Sequence, residues 1–344
     1  MKRHLTNLAV MVAALVVGLG IMEGLSRVVM PLSPGARFLS LEGESITVKA
    51  HNDRFVPGLV FRLVASEFDV RVTITRDGNR VPAAEEAPEF VFVGDSFTFG
   101  HGLEDDETFA AIFCKELDVQ CANIGRSGTG TMEQLDVLQH YLDSENWRPN
   151  RIKLFVLAMT GSLNEGNDLR DALDRRERHP ASQGIETIPG SLAETDEKAA
   201  GRNFLEALVA SRTLVLAHSN LARIVYYMGA GWLRATFTAA PTAARLQLAL
   251  DLQRLQFQRL QDMAAEYGFR PEIYILHPMH DITRGTWPNT LKTVASLAGG
   301  IKIVSTANLF TDSISRYYYP YDGHFNPVGS RKVADFLIAE ERRR

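Results

Sequence analysis

From Phe90 onward the chain repeats one pattern: a short, wholly apolar run, a turn of small polar residues, then apolar positions at three- and four-residue spacing. "FVFVGDS" predicts a buried strand, "DETFAAIFCKEL" a helix, "VQCANIG" a strand, "MEQLDVLQHYLDS" a helix and "IKLFVLAMT" a strand. "EIYILHP" and "IKIVSTA" add two more buried strands, and "NPVGSRKVADFLIAEERRR" a closing helix. Strands apolar on both faces, alternating with helices, imply a parallel sheet covered on both sides, with ligands bound where loops converge at the strands' carboxyl ends.

Two longer helical patterns interrupt this alternation, "NFLEALVASRTLVLAHSNLARIVYYM" and "AARLQLALDLQRLQFQRLQDMAAEYG". Both are expected to pack on the sheet, and His218, Asn220 and Arg223 argue against the first as a membrane span. Residues 175 to 201 are polar, with Pro180, Gly184 and Pro189, and read as a surface excursion or lid. Upstream of the sheet, "FDVRVTITRDGNRVP" alternates apolar and polar residues into Asp77-Gly78, the pattern of a strand or hairpin. The expected organisation is an N-terminal segment to residue 30, a lead-in with a β hairpin over 31–88, and a main domain over 89–344 carrying a helical insertion at about 175–270.

The N-terminal segment carries Lys2 and Arg3 before an almost uncharged apolar run from Leu8 to Met22, which Glu23 ends. That is a targeting segment, either a signal-peptide core or a short tilted anchor. Gly18 and Gly20 would make a poor cleavage site, so an uncleaved anchor is expected. Lys2 and Arg3 would then stay in the cytoplasm and the rest of the chain would lie outside it.

With 344 residues, 45% hydrophobic and 23% charged, the rest suffices for one large globular domain. A net charge of −4 with scattered Lys and Arg gives no basic field for nucleic acid. The two cysteines, Cys114 and Cys121, either close a short structural loop in an oxidising compartment or lie as buried thiols. Neither has a neighbouring His or basic cluster in sequence to activate it.

Candidate chemistry begins at "GDSFTFG". A serine on a glycine-containing turn, at the carboxyl end of a buried strand, projects its hydroxyl and its own N–H into the loop-lined crevice. Ser96 needs a base to take its proton and a third group to orient that base. In "YYYPYDGHFNPVGS", Asp322 and His324 stand two apart, so in an extended segment they share a face, and Pro327 and Gly329 mark the entry to the last helix. Taken alone, this motif fits equally a helix-capping turn with a surface histidine.

GDSFTFG at 94–100, NIGRSGTGTMEQ at 123–134, GND at 166–168 and DGHFN at 322–326 together resemble, in order, the signature blocks of the SGNH hydrolases, also called the GDSL esterase family. The resemblance runs from Phe90 to the end, outside 175–270. It implies a three-layer flavodoxin-like α/β fold with a parallel central sheet, behind the N-terminal membrane-anchor helix. It further implies Ser96 as nucleophile, His324 as general base and acid, and Asp322 as the group orienting it. Ser96 and Gly128 would supply oxyanion-hole N–H groups, and Asn167, with Asn164 as runner-up, the third donor. Two departures stand out: Ser162 occupies the ungapped position of the block-three asparagine, and the acid is two residues before the histidine, where many members have it at three, here Tyr321.

The resemblance implies a serine esterase hydrolysing O-acyl, foremost O-acetyl, esters of a glycan or lipid at the cell envelope, without metal or organic cofactor. The alternatives are an O-acyltransferase to an envelope glycan using the same serine, and a non-catalytic glycan- or partner-binding protein. "HPMHD" offers metal-ligand types at His277, His280 and Asp281, but no further ligand has a suitable spacing, so no metal is expected there. His101 reads as a helix-entry or loop residue, and Asp95 as a turn cap or an internal hydrogen-bonding group.

Overall fold

The computed structural model describes residues 2–29, 36–48, 55–82, 88–145, 151–159, 162–163, 219–222, 224, 243–285 and 287–344. The chain divides into two compact units, Met1–Ala36 with Ile188–Pro241, and Arg37–Thr187 with Thr242–Arg344. The 175–201 stretch and most of the 203–228 pattern lie outside the described residues.

In the first unit, α1 (Lys2–Val29) contains the stretch Val10–Val29, long and apolar enough to cross a membrane by length and composition. The apolar run ends at Glu23 in sequence, yet the helix continues past it, because the carboxylate finds partners. It pairs with Arg27 at 2.7 Å and accepts hydrogen bonds from Ser219 Oγ at 2.8 Å and from the backbone N–H groups of Asn220 and Leu221 at 2.8 and 2.9 Å. Asn220 Nδ2 donates to Ser26 Oγ one turn further along.

The second unit opens with an antiparallel sheet of β1 (Arg37–Leu39), β2 (Val60–Val64) and β3 (Asp69–Thr73). Val70 and Val72 are buried while Asp69 and Arg71 are exposed, the period-two signature of a strand with one covered face. Beyond β3 the chain turns at Asp77-Gly78, where Gly78 takes a φ of +74°, and Ile74 bridges Arg80. Arg80 in turn bridges Asn123, whose N–H donates to Pro82 O at 3.3 Å.

The central sheet is built from β4 (Phe90–Gly94), β5 (Cys121–Asn123), β6 (Arg151–Met159), β8 (Arg270–Leu276) and β9 (Lys302–Ser305), while β7 (Ser162–Leu163) folds back antiparallel on β6. The order is β5-β4-β6-β8-β9, every neighbouring pair parallel. Counted along the chain this is the doubly wound order 2-1-3-4-5, whose direction reverses between β4 and β6. A crevice opens at such a reversal, beyond the carboxyl end of β4.

The helices are α2 (Ser96–Phe99), α3 (Phe109–Leu117), α4 (Thr131–Glu145), α5 (Ala243–Tyr267), α6 (Met279–Arg284), α7 (Trp287–Leu297) and α8 (Pro327–Arg342). Alternate strand residues send their side chains to opposite layers. Val91, Val93, Ile273 and Ile275 cluster with Leu135, Leu138 and Leu142 of α4, Phe257 and Leu260 of α5 and Val294 of α7. Phe90, Phe92, Tyr274 and Leu276 cluster instead with Phe109 and Phe113 of α3 and with Ala334, Leu337 and Ile338 of α8. Burial on both faces is the reason these strands are apolar throughout. The pattern over 243–268 is thus one core helix of the layer. A disulfide, Cys114–Cys121, joins the end of α3 to the start of β5 with a Cα separation of 6.0 Å.

Candidate active site

The switch-point crevice is entered first by the turn after β4. Asp95 caps α2, its Oδ1 accepting the Phe97 N–H at 2.9 Å, so Ser96 becomes the first helical residue. First-turn N–H groups have no intrahelical acceptor, which leaves the Ser96 N–H available to a ligand at that point. Phe97, Thr98 and Phe99 are buried, so α2 is pinned from below while Ser96 stays half-buried at the rim. One turn later Gly100 ends the helix at φ +83°, where a Cβ would lie 2.4 Å from Thr108 Cγ2. Glycine alone fits there.

The second element is a small hairpin before α8. Tyr318 bridges Phe325, Tyr319 N–H donates to His324 O at 2.8 Å, and Gly323 N–H donates to Tyr319 O at 2.9 Å with φ +85°. Asn326 caps α8 by accepting the Gly329 N–H at 3.0 Å, with Pro327 at the first helical position. The hairpin tip therefore stands on a rigid helix end and presents Asp322 and His324.

These two elements, 228 residues apart, close into one hydrogen-bonded chain. His324 Nε2 lies 2.6 Å from Ser96 Oγ, and His324 Nδ1 lies 2.5 Å from Asp322 Oδ1. Burial pushes the Asp322 carboxyl up, but the hydrogen bond and charge of His324, with His101, outweigh it and leave it below its ordinary value. An ionised Asp322 requires the hydrogen on Nδ1, which leaves Nε2 to accept from the serine hydroxyl. The His324 ring also packs on Phe97, centroid to centroid 4.8 Å.

Asp95 is 3% exposed and caps the turn, as its sequence position suggests. Burial lifts its carboxyl to about 6 against the pull of the Phe97 N–H and of His324.

His101, a loop residue by sequence, lies inside the cluster. Its ring centroid is 4.6 Å from that of His324, and its Nε2 is 3.7 Å from Asp322 Oδ2. The legible signal was its place between Gly100 and Gly102, both with positive φ, which turns the ring back beside the serine. Burial foremost, then the charge of His324, holds His101 down to about 4 from 6.5, against the attraction of Asp322.

A folded-state value below the unfolded one means that between pH 6.5 and 4 the unfolded chain binds a proton the folded chain refuses, so His101 withdraws stability as pH falls. Asp95 acts in the opposite sense over nearly the same range, retaining a proton that the unfolded chain releases. Replacing His101 isolates its share. Relative to wild type, His101→Gln is expected to gain about 2–3 kcal/mol between pH 6.5 and 4 in urea denaturation. Parallel pH profiles for the two proteins would show that His101 titrates normally.

The loop after β5 borders the same turn. Arg126 N–H donates to Gly94 O at 2.8 Å, and the Asn123 side chain joins Thr98 O to the Gly125 N–H. A Cβ on Gly125 would sit 2.6 Å from Phe99 N, so the two loops touch backbone to backbone. Gly128 follows at φ +82°, with open space where a Cβ would be. Asn167 and Asn164 lie outside the described residues, and of Ser162 only its backbone place in β7 is described.

His277 does not join the cluster. It is buried between strands, its Nε2 2.8 Å from Ser305 Oγ and its carbonyl accepting from Tyr318 Oη, and burial holds it down to about 4. The side chains of His280 and Asp281 lie outside the described residues. Among the described residues, His101, Asp322 and His324 form the group whose metal-ligand atoms all fall within 4.8 Å of one another. A cation on His324 Nδ1 would replace the hydrogen it gives Asp322, so metal binding and the serine relay exclude each other.

No protein-family model matches the chain, and no curated protein matches it either. Similar solved structures include an acetyl xylan esterase from Geobacillus stearothermophilus, 12% identical with a TM-score of 0.40, covering 75% of this chain and 95% of that one. A member of the lipolytic protein G-D-S-L family from Veillonella parvula is 11% identical with a TM-score of 0.39, covering 73% of this chain and 96% of that one. The lipase/acylhydrolase from Enterococcus faecalis is 11% identical with a TM-score of 0.39, covering 74% and 94%.

Proposed function

We propose that this chain is an SGNH-type serine hydrolase that cleaves O-acyl, foremost O-acetyl, esters through an acyl-Ser96 intermediate. The observation carrying the reading is the continuous hydrogen-bonded chain from Ser96 Oγ through His324 to Asp322. As Oγ attacks the ester carbonyl carbon, His324 Nε2 takes its proton, and Asp322 stabilises the resulting imidazolium. The imidazolium then gives that proton to the departing alkoxide oxygen, leaving the acyl group on Ser96. Water attacks the acyl-serine with His324 again as base, which releases the carboxylic acid and restores the serine.

The tetrahedral oxyanion is assigned to the N–H groups of Ser96 and Gly128 and to the side-chain amide of Asn167. Each such preorganised donor lowers the barrier by on the order of 3 kcal/mol in comparable sites. No step in this scheme calls for a metal or cofactor. α1 serves as the membrane anchor, with the hydrolase domain outside the cytoplasm, where a Cys114–Cys121 disulfide persists and O-acylated glycans or lipids are within reach.

The test is labelling of the full-length protein in detergent with a fluorophosphonate probe, beside hydrolysis of p-nitrophenyl acetate. Wild type is expected to be labelled on Ser96 and to release nitrophenol. Labelling without hydrolysis would assign the acyl-serine to a sugar hydroxyl acceptor instead of water. A folded wild type that does neither would sink the reading.

A further inference from the structure

The antiparallel sheet ahead of the central domain is not a passive lead-in. We infer that Glu67, on its β2–β3 turn, is a positioning residue for the Asp322–His324 pair, an inference that rests on the serine-hydrolase reading above.

The turn joins β2 to β3 through an Ala65 N–H to Phe68 O bond of 2.8 Å, and this places Glu67 and Phe68 at its tip. Glu67 Oε2 accepts two successive backbone N–H groups of the other hairpin, Tyr321 at 3.0 Å and Asp322 at 2.7 Å. Phe68 packs beside it on the rings of Tyr319 and His101, with centroids 5.2 and 5.5 Å away. Tyr319 Oη then donates to Gly102 O at 2.8 Å. One turn of the small sheet thus touches both the loop carrying His101 and the loop carrying Asp322.

The sheet itself is fastened independently of that contact. Two β3 N–H groups donate to carboxylates of the 100–107 loop, Arg71 to Glu104 and Thr73 to Asp105, each at 3.0 Å. The buried Arg80 guanidinium donates to Leu103 O at 2.8 Å and lies 3.1 Å from Asp105. A fixed platform therefore delivers a charged acceptor to the least supported part of the Asp322 hairpin. There Tyr321 is 55% exposed, and the local backbone ties are Gly323 N–H to Tyr319 O and Tyr319 N–H to His324 O.

Hydrogen bonds to an ionised acceptor are short and about twice as strong as neutral ones. Two of them on adjacent amides fix the plane of the peptide entering Asp322, and with it the direction of the carboxylate toward His324 Nδ1. A displacement of about 1 Å at a reacting group costs up to roughly a hundredfold in rate.

The experiment compares Glu67→Ala, Glu67→Asp and Glu67→Gln in the full-length protein. Alanine removes the acceptor, aspartate keeps the charge but withdraws it by a methylene, and glutamine keeps an oxygen acceptor at full length. Glu67→Ala and Glu67→Asp are expected to lower kcat on p-nitrophenyl acetate roughly ten- to a hundredfold with KM unchanged, and Glu67→Gln to recover most of the loss. The low-field proton resonance of His324 Nδ1–H is expected to weaken in the first two variants and persist in the third.

Unchanged kcat in Glu67→Ala, or equal losses in Glu67→Gln and Glu67→Ala, would overturn the inference. The proton signal separates the two ideas. An inactive wild type with a variant-sensitive signal would remove the esterase reading and keep Glu67 as the support of this pair, whereas an active wild type with an insensitive signal would do the reverse.

Discussion

Ser96→Ala is expected to lower hydrolysis of short acyl esters by roughly 10⁴-fold or more, leaving the melting temperature near that of wild type. In the proposed mechanism the hydroxyl oxygen forms and breaks the acyl bond, so its loss would remove the covalent path entirely. What survives is the contribution of binding and oxyanion donors. Stability should hardly change, because Asp95 caps α2 through the Phe97 N–H, and the side chains that seat the helix are Phe97, Thr98 and Phe99. The check is turnover of p-nitrophenyl acetate beside a thermal melt. Activity within tenfold of wild type in a folded variant would place the nucleophile elsewhere.

The second large effect is expected of Asp322→Asn, a fall in kcat of about 10⁴-fold with little change in KM. The amide is almost isosteric, and the backbone bond from residue 322 to Glu67 is untouched, so the hairpin keeps its shape. What changes is the tautomer. An asparagine that presents its NH2 to Nδ1 leaves the ring hydrogen on Nε2, which then points a donor at Ser96 where an acceptor is required. His101 offers no substitute, since at neutral pH it is uncharged and its Nε2 faces the other carboxylate oxygen, Oδ2, at 3.7 Å. Steady-state kinetics across pH 6–9 decide it. Wild-type turnover would identify a different acid.

The central sheet and the Asp322–His324 pair were legible in sequence because both depend on neighbours along the chain, whereas joining that pair to Ser96, 228 residues away, rests on the resemblance of the signature blocks. Strands apolar on both faces announce double coverage, and "DGHFN" places a carboxylate and an imidazole on one side of a short extended segment. Glu67 carries no such mark. A glutamate in an exposed hairpin turn resembles any solvated turn residue, and its partners, Tyr321 and Asp322, lie 254 and 255 positions away. β1 and β2 were missed because β1 spans three residues and β2, VFRLV, holds one polar residue, Arg62, so neither shows the apolar–polar alternation that marks β3. α5 was legible as a helix packed on the sheet, but its place beside α4 depends on contacts such as Arg259 to Asp136 and Gln139 that span more than a hundred residues.

The bridge from Arg80 to Asn123 bears on how copies of this chain can associate. β5 is an outermost strand of the central sheet, and an outermost strand offers its backbone to any passing chain. At Asn123 that offer is already taken up by Pro82 and Arg80 of the same chain. Strand addition across β5 would require the Arg80–Pro82 segment to leave, and with it the buried guanidinium that fixes the platform carrying Glu67. Self-association by edge pairing on that side would therefore disarm the site.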